Sequence, residues 1–501
     1  MSAVAAPALR SRRLAARARR APRWPWLVPF GVFVMIGMSP IVGLPLLFAA
    51  TMALAAVLVL SRYPGPSLVA LVVFLPLQIP AFSFLYNHGV PGGLLRPFGS
   101  VKEALALAVI VAAGREVVTR RSRLDRVDKF VLAYVGALVL YLLLPMVLSG
   151  STYPDSFTDR LLGFRINGGF LLLFVAARHA PIDERWRRRF ISTILAMAGL
   201  LAAIGIFQFL QPARFTDFIV QDLGIPYFQL YVLDTSLGEV VQQLAWTTAE
   251  PVRVGSLFVG PFQFADFLIL PTALLLDRLT RREGRLRDVL LLALIGGALL
   301  ASQTRANILA LALMALLALS PGPYRVLANR LRLVAIVILA LVAFIPSLVS
   351  SRLGGAEKSA ESTEGHIDEI RAGFEILQEN PLGTGLGTAP ALAVRLENAP
   401  VIISDNSMLQ VGNELGIVMM VFFAGLLVAI VVRLSRKARD DPPGGLASSA
   451  RLALIGLLVA GQLHHVFQDF SVTWPLWALV GLALAPARRH APEPEELSAQ
   501  A

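Results

Sequence analysis

Arg253, in PVRVGSLFVG, and Arg305, in SQTRANILAL, each stand where a long apolar run begins. A guanidinium at such a boundary is costly unless it is paired or binds an anion, and its planar fork suits phosphate oxygens through bidentate, charge-assisted bonds. Taken singly, either arginine reads equally well as a snorkelling side chain or as half of a structural ion pair. Two of them on one membrane face, from different hairpins, point to an anion site. Asp405 and Glu414 lie in SDNSMLQVGNELG (404–416). A carboxylate there can draw a proton from an attacking hydroxyl, while Ser404, Asp405 or Asn406 can equally cap the helix that follows. Glu250, beside Arg253, and His366 compete with these two acids for the role of base.

Asp266 falls inside an apolar run and is therefore a functional candidate, with pairing to a nearby arginine as its plain alternative. His464 and His465 are followed by Asp469 but by no further donor at metal-ligand spacing, and no metal site is expected. PLGTGLG (381–387) has no following Lys-Ser or Lys-Thr, so it is not a nucleotide loop. It reads as a tight turn in which Gly385 and Gly387 let bare backbone approach another chain or a ligand. The chain has no cysteine, which excludes thiol nucleophiles, disulfides and iron–sulfur clusters.

The elements that must hold these residues are membrane helices. The 501 residues are 56% hydrophobic and 16% charged, against roughly 25% charged in soluble domains, and the mean hydropathy is +0.68. That balance excludes a water-soluble globule and predicts an all-α, polytopic membrane bundle. Apolar stretches fall near 26–39, 41–60, 65–85, 102–118, 130–149, 165–178, 190–210, 254–277, 288–303, 306–321, 333–350, 409–432, 450–466 and 472–487, which predicts fourteen spans. Seven arginines and no acid precede Trp24. The apolar run from Trp26 to Leu60 is too long for a signal peptide and is read as retained.

With the N-terminus inside, lysine and arginine concentrate in the segments on that side, as the positive-inside rule requires. The net charge of +12 is thus a topology signal and not a mark of nucleic-acid binding. The charge pattern gives a basic cytoplasmic tail at 1–25, a membrane domain at 26–487, and a second cytoplasmic tail at 488–501. Two extracytoplasmic segments exceed turns, Gln211 to Val252 and the loop 351–408. In the second, Ile367, Ile370, Phe374 and Leu377 recur at helical spacing and predict an amphipathic helix over 366–380 at the membrane surface. Tyr227, Phe228, Tyr231 and Trp246 in the outer loops are candidates to stack on sugars or to anchor at the interface.

Four patterns, in this order, resemble the O-antigen ligase and polysaccharide polymerase superfamily of bacterial membrane glycosyltransferases: PVRVGSLFVGPFQFADFLIL (251–270), SQTRANILALAL (302–313), GHIDEIRAGFEILQENPLGTGLGT (365–388) and DNSMLQVGNELGI (405–417). The resemblance covers about 200–433. It implies transfer of a glycan from undecaprenyl diphosphate to an acceptor hydroxyl at the outer face of the bacterial cytoplasmic membrane. Arg253 and Arg305 match the arginines that hold the diphosphate. Asp405 stands where ligases acting on lipid A core usually have histidine and polymerases frequently have aspartate, which favours a polymerase and leaves an O-antigen ligase to lipid A core as the alternative.

Because the lipid diphosphate is an activated leaving group, the resemblance implies no nucleotide, metal or other cofactor. Its implied partners are the lipid-linked oligosaccharide donor, a glycan acceptor that His366, Gly385, Gly387 and Asn406 would face, and membrane lipids. A chain-length regulator or a flippase is the implied protein partner. The competing class is a transporter for lipid-linked glycan, which would show related halves and charges along a central pathway.

Overall fold

The computed structural model describes residues 54–486 apart from 120, 145–156, 234, 236, 239, 242–243, 245–251, 282–283, 319–355, 389–405, 442–444 and 468; over 356–366 it describes the backbone alone. The chain divides into two units, Met1–Leu58 and Val59–Ala501. The second carries both arginines, the glycine turn and every helix from Pro64 onward.

No strand occurs among the described residues. The helices are α1 (Pro64–Asn87), α2 (Gly92–Phe98), α3 (Val101–Val118), α4 (Arg126–Leu143), α5 (Phe157–His179), α6 (Glu184–Leu210), α7 (Pro212–Asp217), α8 (Ile225–Tyr231), α9 (Pro261–Thr280), α10 (Leu286–Ala301), α11 (Arg305–Ala318), α12 (Ala356–Glu379), α13 (Ser407–Asp440), α14 (Ala447–Ala460) and α15 (Phe470–Leu484). Four of them, α1, α5, α6 and α13, are long and apolar enough to cross a membrane, and α11, α14 and α15 are shorter apolar helices. In hydrocarbon only a helix satisfies every backbone N–H and C=O from within its own segment, which is why so apolar a chain resolves into helices. The predicted spans at 26–39, 41–60 and 333–350 lie wholly or largely outside the described residues.

Against the fourteen spans expected, four described helices are long and apolar enough to be spans, and two elements at the site have bounds other than those expected. The span predicted from 254 becomes helical only at Pro261, because residues 252–260 form an irregular segment with Gly255 and Gly260 and with Ser256 at φ 53°. The amphipathic helix predicted over 366–380 begins earlier, at Ala356. Phe374 of α12 is exposed, whereas Leu377 is buried, so the helix faces outward along one side and packs on α13 along another.

The core forms where α5, α13 and α15 meet. Phe170 stacks on Trp477 at 5.6 Å, and Phe423 meets Phe467 edge to face at 5.6 Å. Around this centre α9 and α11 pack on α14, and α6 packs on α1 and α10.

One end of the bundle is fastened by buried charge. Arg178, at the end of α5, donates to Asp128 Oδ1 at 2.7 Å and to the backbone oxygen of Leu484 at 3.0 Å, and it bonds Asp125 as well. Lys437 and Arg187 donate to the Ala485 and Leu482 oxygens at 2.9 and 2.8 Å. Three basic side chains thus satisfy the orphan carbonyls at the C-terminus of α15 and meet the negative pole of its dipole. Asp125 also caps α4, and Arg178 together with that capping holds its carboxyl well below the usual range despite partial burial.

Candidate active site

At the opposite end of α5 and its neighbours, the two predicted arginines come together. The backbone does this first. Val254 N donates to Ala301 O at 3.3 Å, and Gln303 Nε2 donates to Val252 O at 3.4 Å, so the 252–260 segment is laced to the α10–α11 turn. Gln303 carries φ 53°, and with Ser302 and Thr304 it turns the chain in three residues. From the other side Gln208 of α6 accepts from Gly255 N at 3.1 Å and Ser256 N at 2.8 Å, and Ser256 Oγ donates to Leu201 O at 2.7 Å. An irregular segment at this depth is tolerated because its backbone groups find such partners.

Arg253 lies in this laced segment with its guanidinium 4.8 Å from the centre of the Phe262 ring. Its Nε is buried and has no hydrogen-bond partner among the described residues. Burial, followed by the charge of Arg305, lowers its pKa. Two guanidinium groups near enough to repel each other suit a polyvalent anion. Arg253 also lines a small cleft with Gln208, Phe215, Pro226, Gln229 and Ser256. An adjoining groove is wholly apolar, and Phe215 and Leu257 line both.

Beneath the arginines lies a buried polar cluster. His464 Nε2 lies 2.9 Å from each oxygen of Asp266, and Asn307 Nδ2 donates to Asp266 Oδ1 at 2.7 Å. Asp266 therefore takes a histidine and an asparagine as partners where the sequence suggested an arginine. The His464 ring lies 5.4 Å from Phe262, on which Arg253 also rests. Among the described residues no group of three or more histidine, aspartate or glutamate side chains could hold a metal ion.

Asn406 caps α13, accepting from Met408 N and Leu409 N at 2.8 and 3.0 Å, and donates to Gln462 O at 3.0 Å. Ser407 Oγ donates to His464 O at 3.1 Å. The start of α13 is thereby docked on the turn that carries His464. Asp405 and Glu250 lie outside the described residues, and so does Trp246. His366 sits within α12, where the backbone alone is described.

Glu414 is buried and accepts from Asn167 Nδ2 at 2.5 Å. Asn167 reaches it from the widened π-turn Arg165–Gly169 inside α5. Eight residues beyond Asn406, Glu414 lies about 12 Å further along the axis of α13. The glycine turn sits at the same level. Gly385 N donates to Glu414 O at 2.9 Å, and Ile417 N donates to Pro381 O at 2.9 Å, across a break in α13 where Gly416 has φ 84°. Gly387 lies against Gly163 of α5, where a Cβ on Gly163 would come within 2.4 Å of the Gly387 N. The bare backbone of this turn is used within the chain, against α13 and α5, and not against the other chain or ligand that the sequence suggested.

Of the outer aromatics, Phe228 is buried with Phe82, Leu95 and Val232 and belongs to the packing, while Tyr227 and Tyr231 are exposed. Sequence reasoning missed Phe262 and Asn307 altogether and considered His464 only as a metal ligand. The available signal was spacing. Asn307 follows Arg305 by two residues, and Phe262 and Asp266 stand one helical turn apart on α9.

Comparison with known families is decisive for one stretch of this arrangement. Residues 290–424 match the family model described as O-antigen ligase. This stretch is a domain of the O-antigen ligase family. The O-antigen ligase domain takes in Arg305, the glycine turn, Asn406 and Glu414, whereas Arg253, Phe262, Asp266 and His464 lie outside its bounds. No curated protein matches the chain.

Proposed function

We propose that the protein is a glycosyltransferase of the bacterial cytoplasmic membrane that transfers glycan from undecaprenyl diphosphate to a hydroxyl of an acceptor glycan at the outer face, as a polysaccharide polymerase. The observation that carries this reading is the Arg253–Arg305 pair, beside a cleft that shares Phe215 and Leu257 with an apolar groove, in a chain with an O-antigen ligase domain. A diphosphate needs the first feature and a polyprenyl chain the second.

In the reaction the acceptor oxygen attacks the anomeric carbon, the bond from that carbon to the diphosphate breaks, and Arg253 and Arg305 stabilise the charge that grows on the leaving oxygens. Asp405 takes or orients the departing proton; Glu250 and His366 are its alternatives. The burial of Glu414 and its bond to Asn167 argue for a structural role instead. Aspartate at 405, where ligases usually carry histidine, favours the polymerase over a ligase to lipid A core. The accompanying topology has fourteen spans, both termini in the cytoplasm and the 351–408 loop outside. A chain-length regulator or a flippase would be the protein partner.

The test is glycan chain-length analysis of a deletion strain, together with elongation of a lipid-linked glycan by the purified protein. A polymerase gives single repeat units in the deletion strain and loses turnover at least about a hundredfold in Asp405→Asn. Full-length polymer left unattached in the deletion strain would point to the ligase, and undiminished turnover in Asp405→Asn would pass the proton to another group.

A further inference from the structure

Asp266 is the point at which both arginine-bearing elements are tied. One arm runs through Asn307, whose amide donates to Oδ1 at 2.7 Å two residues after Arg305 on α11. The other runs through His464, held at 2.9 Å by both carboxylate oxygens, whose ring meets Phe262 at 5.4 Å on the ring that also carries the Arg253 guanidinium at 4.8 Å. Asp266, His464 and Asn307 are all buried. With its oxygens engaged by protein groups, this carboxylate does its energetic work on the groups around it.

Two guanidinium groups repel, so their separation depends on where their supports are held, and a buried carboxylate tied to both supports fixes where each one sits. A headgroup with two phosphoryl groups requires both guanidinium groups at a set separation. One with a single phosphoryl group can be held by either.

We infer that Asp266 is a positioning residue which, through His464 and Asn307, sets the separation of Arg253 and Arg305 and so confers preference for a diphosphate over a monophosphate headgroup. This rests on the diphosphate-donor reading above. The groups facing the cluster agree with the assignment. Asp266 and His465 both act on Asp469 by charge, and the buried His464 Nδ1 has no partner among the described residues. The imidazole is thus held from one side, by Asp266, with its face left for Phe262.

The experiment measures binding of farnesyl diphosphate and farnesyl monophosphate to the full-length protein in nanodiscs, for the parent and for Asp266→Asn, His464→Phe and Asn307→Ala. The parent is expected to favour the diphosphate by about tenfold or more, equivalent to about 1.4 kcal/mol. In each variant the ratio should fall toward one, through loss of diphosphate affinity and with little change for the monophosphate. Asp277→Asn is the folding control. It removes another buried carboxylate of α9, bonded to Ser449 and Arg281 at 2.7 and 2.9 Å, and should keep the parental ratio. If Asp266→Asn does not fold, His464→Phe and Asn307→Ala carry the test. Folded variants that keep the parental ratio overturn the inference and leave the donor reading standing. A parent without preference overturns the donor reading, and this inference with it.

Discussion

Arg253 meets two demands that lysine cannot meet together, since its guanidinium sits over the Phe262 ring while its Nε, without a partner among the described residues, can donate to an anion. Arg253→Lys and Arg305→Lys keep the charge and lose the fork. Each is expected to lower turnover by roughly 10²–10³ at near-normal abundance, as read from elongation of a lipid-linked glycan by purified protein; full activity in both would leave simple charge as the better account. Asp469 gives a second test at this scale. It caps α15 through Ser471 N at 2.8 Å, and burial pushes its carboxyl up to about 7, the cap and His465 offsetting part of that. The unfolded carboxyl titrates near 3.8, so between that value and about 7 the folded state binds the extra proton and stability falls as pH rises. The loss should reach roughly 2–4 kcal/mol above neutrality. Asp469→Asn keeps a capping oxygen and cannot ionise. Its thermal midpoint should therefore stay level from about pH 5 to about pH 8.5 while that of the parent drops, and an equal drop in both would place the ionisation elsewhere.

At the scale of elements, the break in α13 depends on two glycines in contact. Gly416 has φ 84°, and a Cβ there would meet Pro381 O at 2.6 Å; Gly383 has φ 88°, and a Cβ there would meet Glu414 O at 2.5 Å. Gly416→Ala should cost about 2–3 kcal/mol by strain and overlap, seen as a lower thermal midpoint, whereas Gly425→Ala on the same helix, with open space at its Cβ, should be neutral or better. The glycine turn was legible in the sequence as a place of close backbone approach. What it approaches was not, because PLGTGLG and NELGI are separated by more than twenty residues and no local periodicity connects them. The same reason hid Phe262 and His464. Hydropathy showed where α9 and α14 run, but the meeting of their outer ends is decided by packing. Asn307 was concealed differently, as a polar residue in an apolar helix whose partner, Asp266, belongs to another.

Across the described residues, hydropathy and length gave the all-α class and the order of the helices, because length and apolarity are the physical requirement for a span. They failed at 252–260, where an apolar composition conceals a non-helical segment stitched by Gln208. The buried charges at the far end make a global prediction. Arg178→Ala leaves Asp128 buried without its main cation, and should destabilise the protein by roughly 3–5 kcal/mol without altering the preference between headgroups; a change in that preference would mean that the two ends communicate. Orientation is tested by reporters fused after Glu361, expected outside, and after Lys437, expected inside; the reverse pair would place the arginines on the wrong side for an outer-leaflet donor. The clasp between the glycine turn and α13 also bears on the chain beside it. Thr388 is tied back to Gly385 O at 2.7 Å and Asn406 to Gln462 O at 3.0 Å, so the stretch 389–405 starts and finishes at two fixed posts. Lengthening a segment between fixed posts costs only about 0.6 kcal/mol per doubling, so the clasp tolerates a longer or shorter connection between them at little cost to the scaffold.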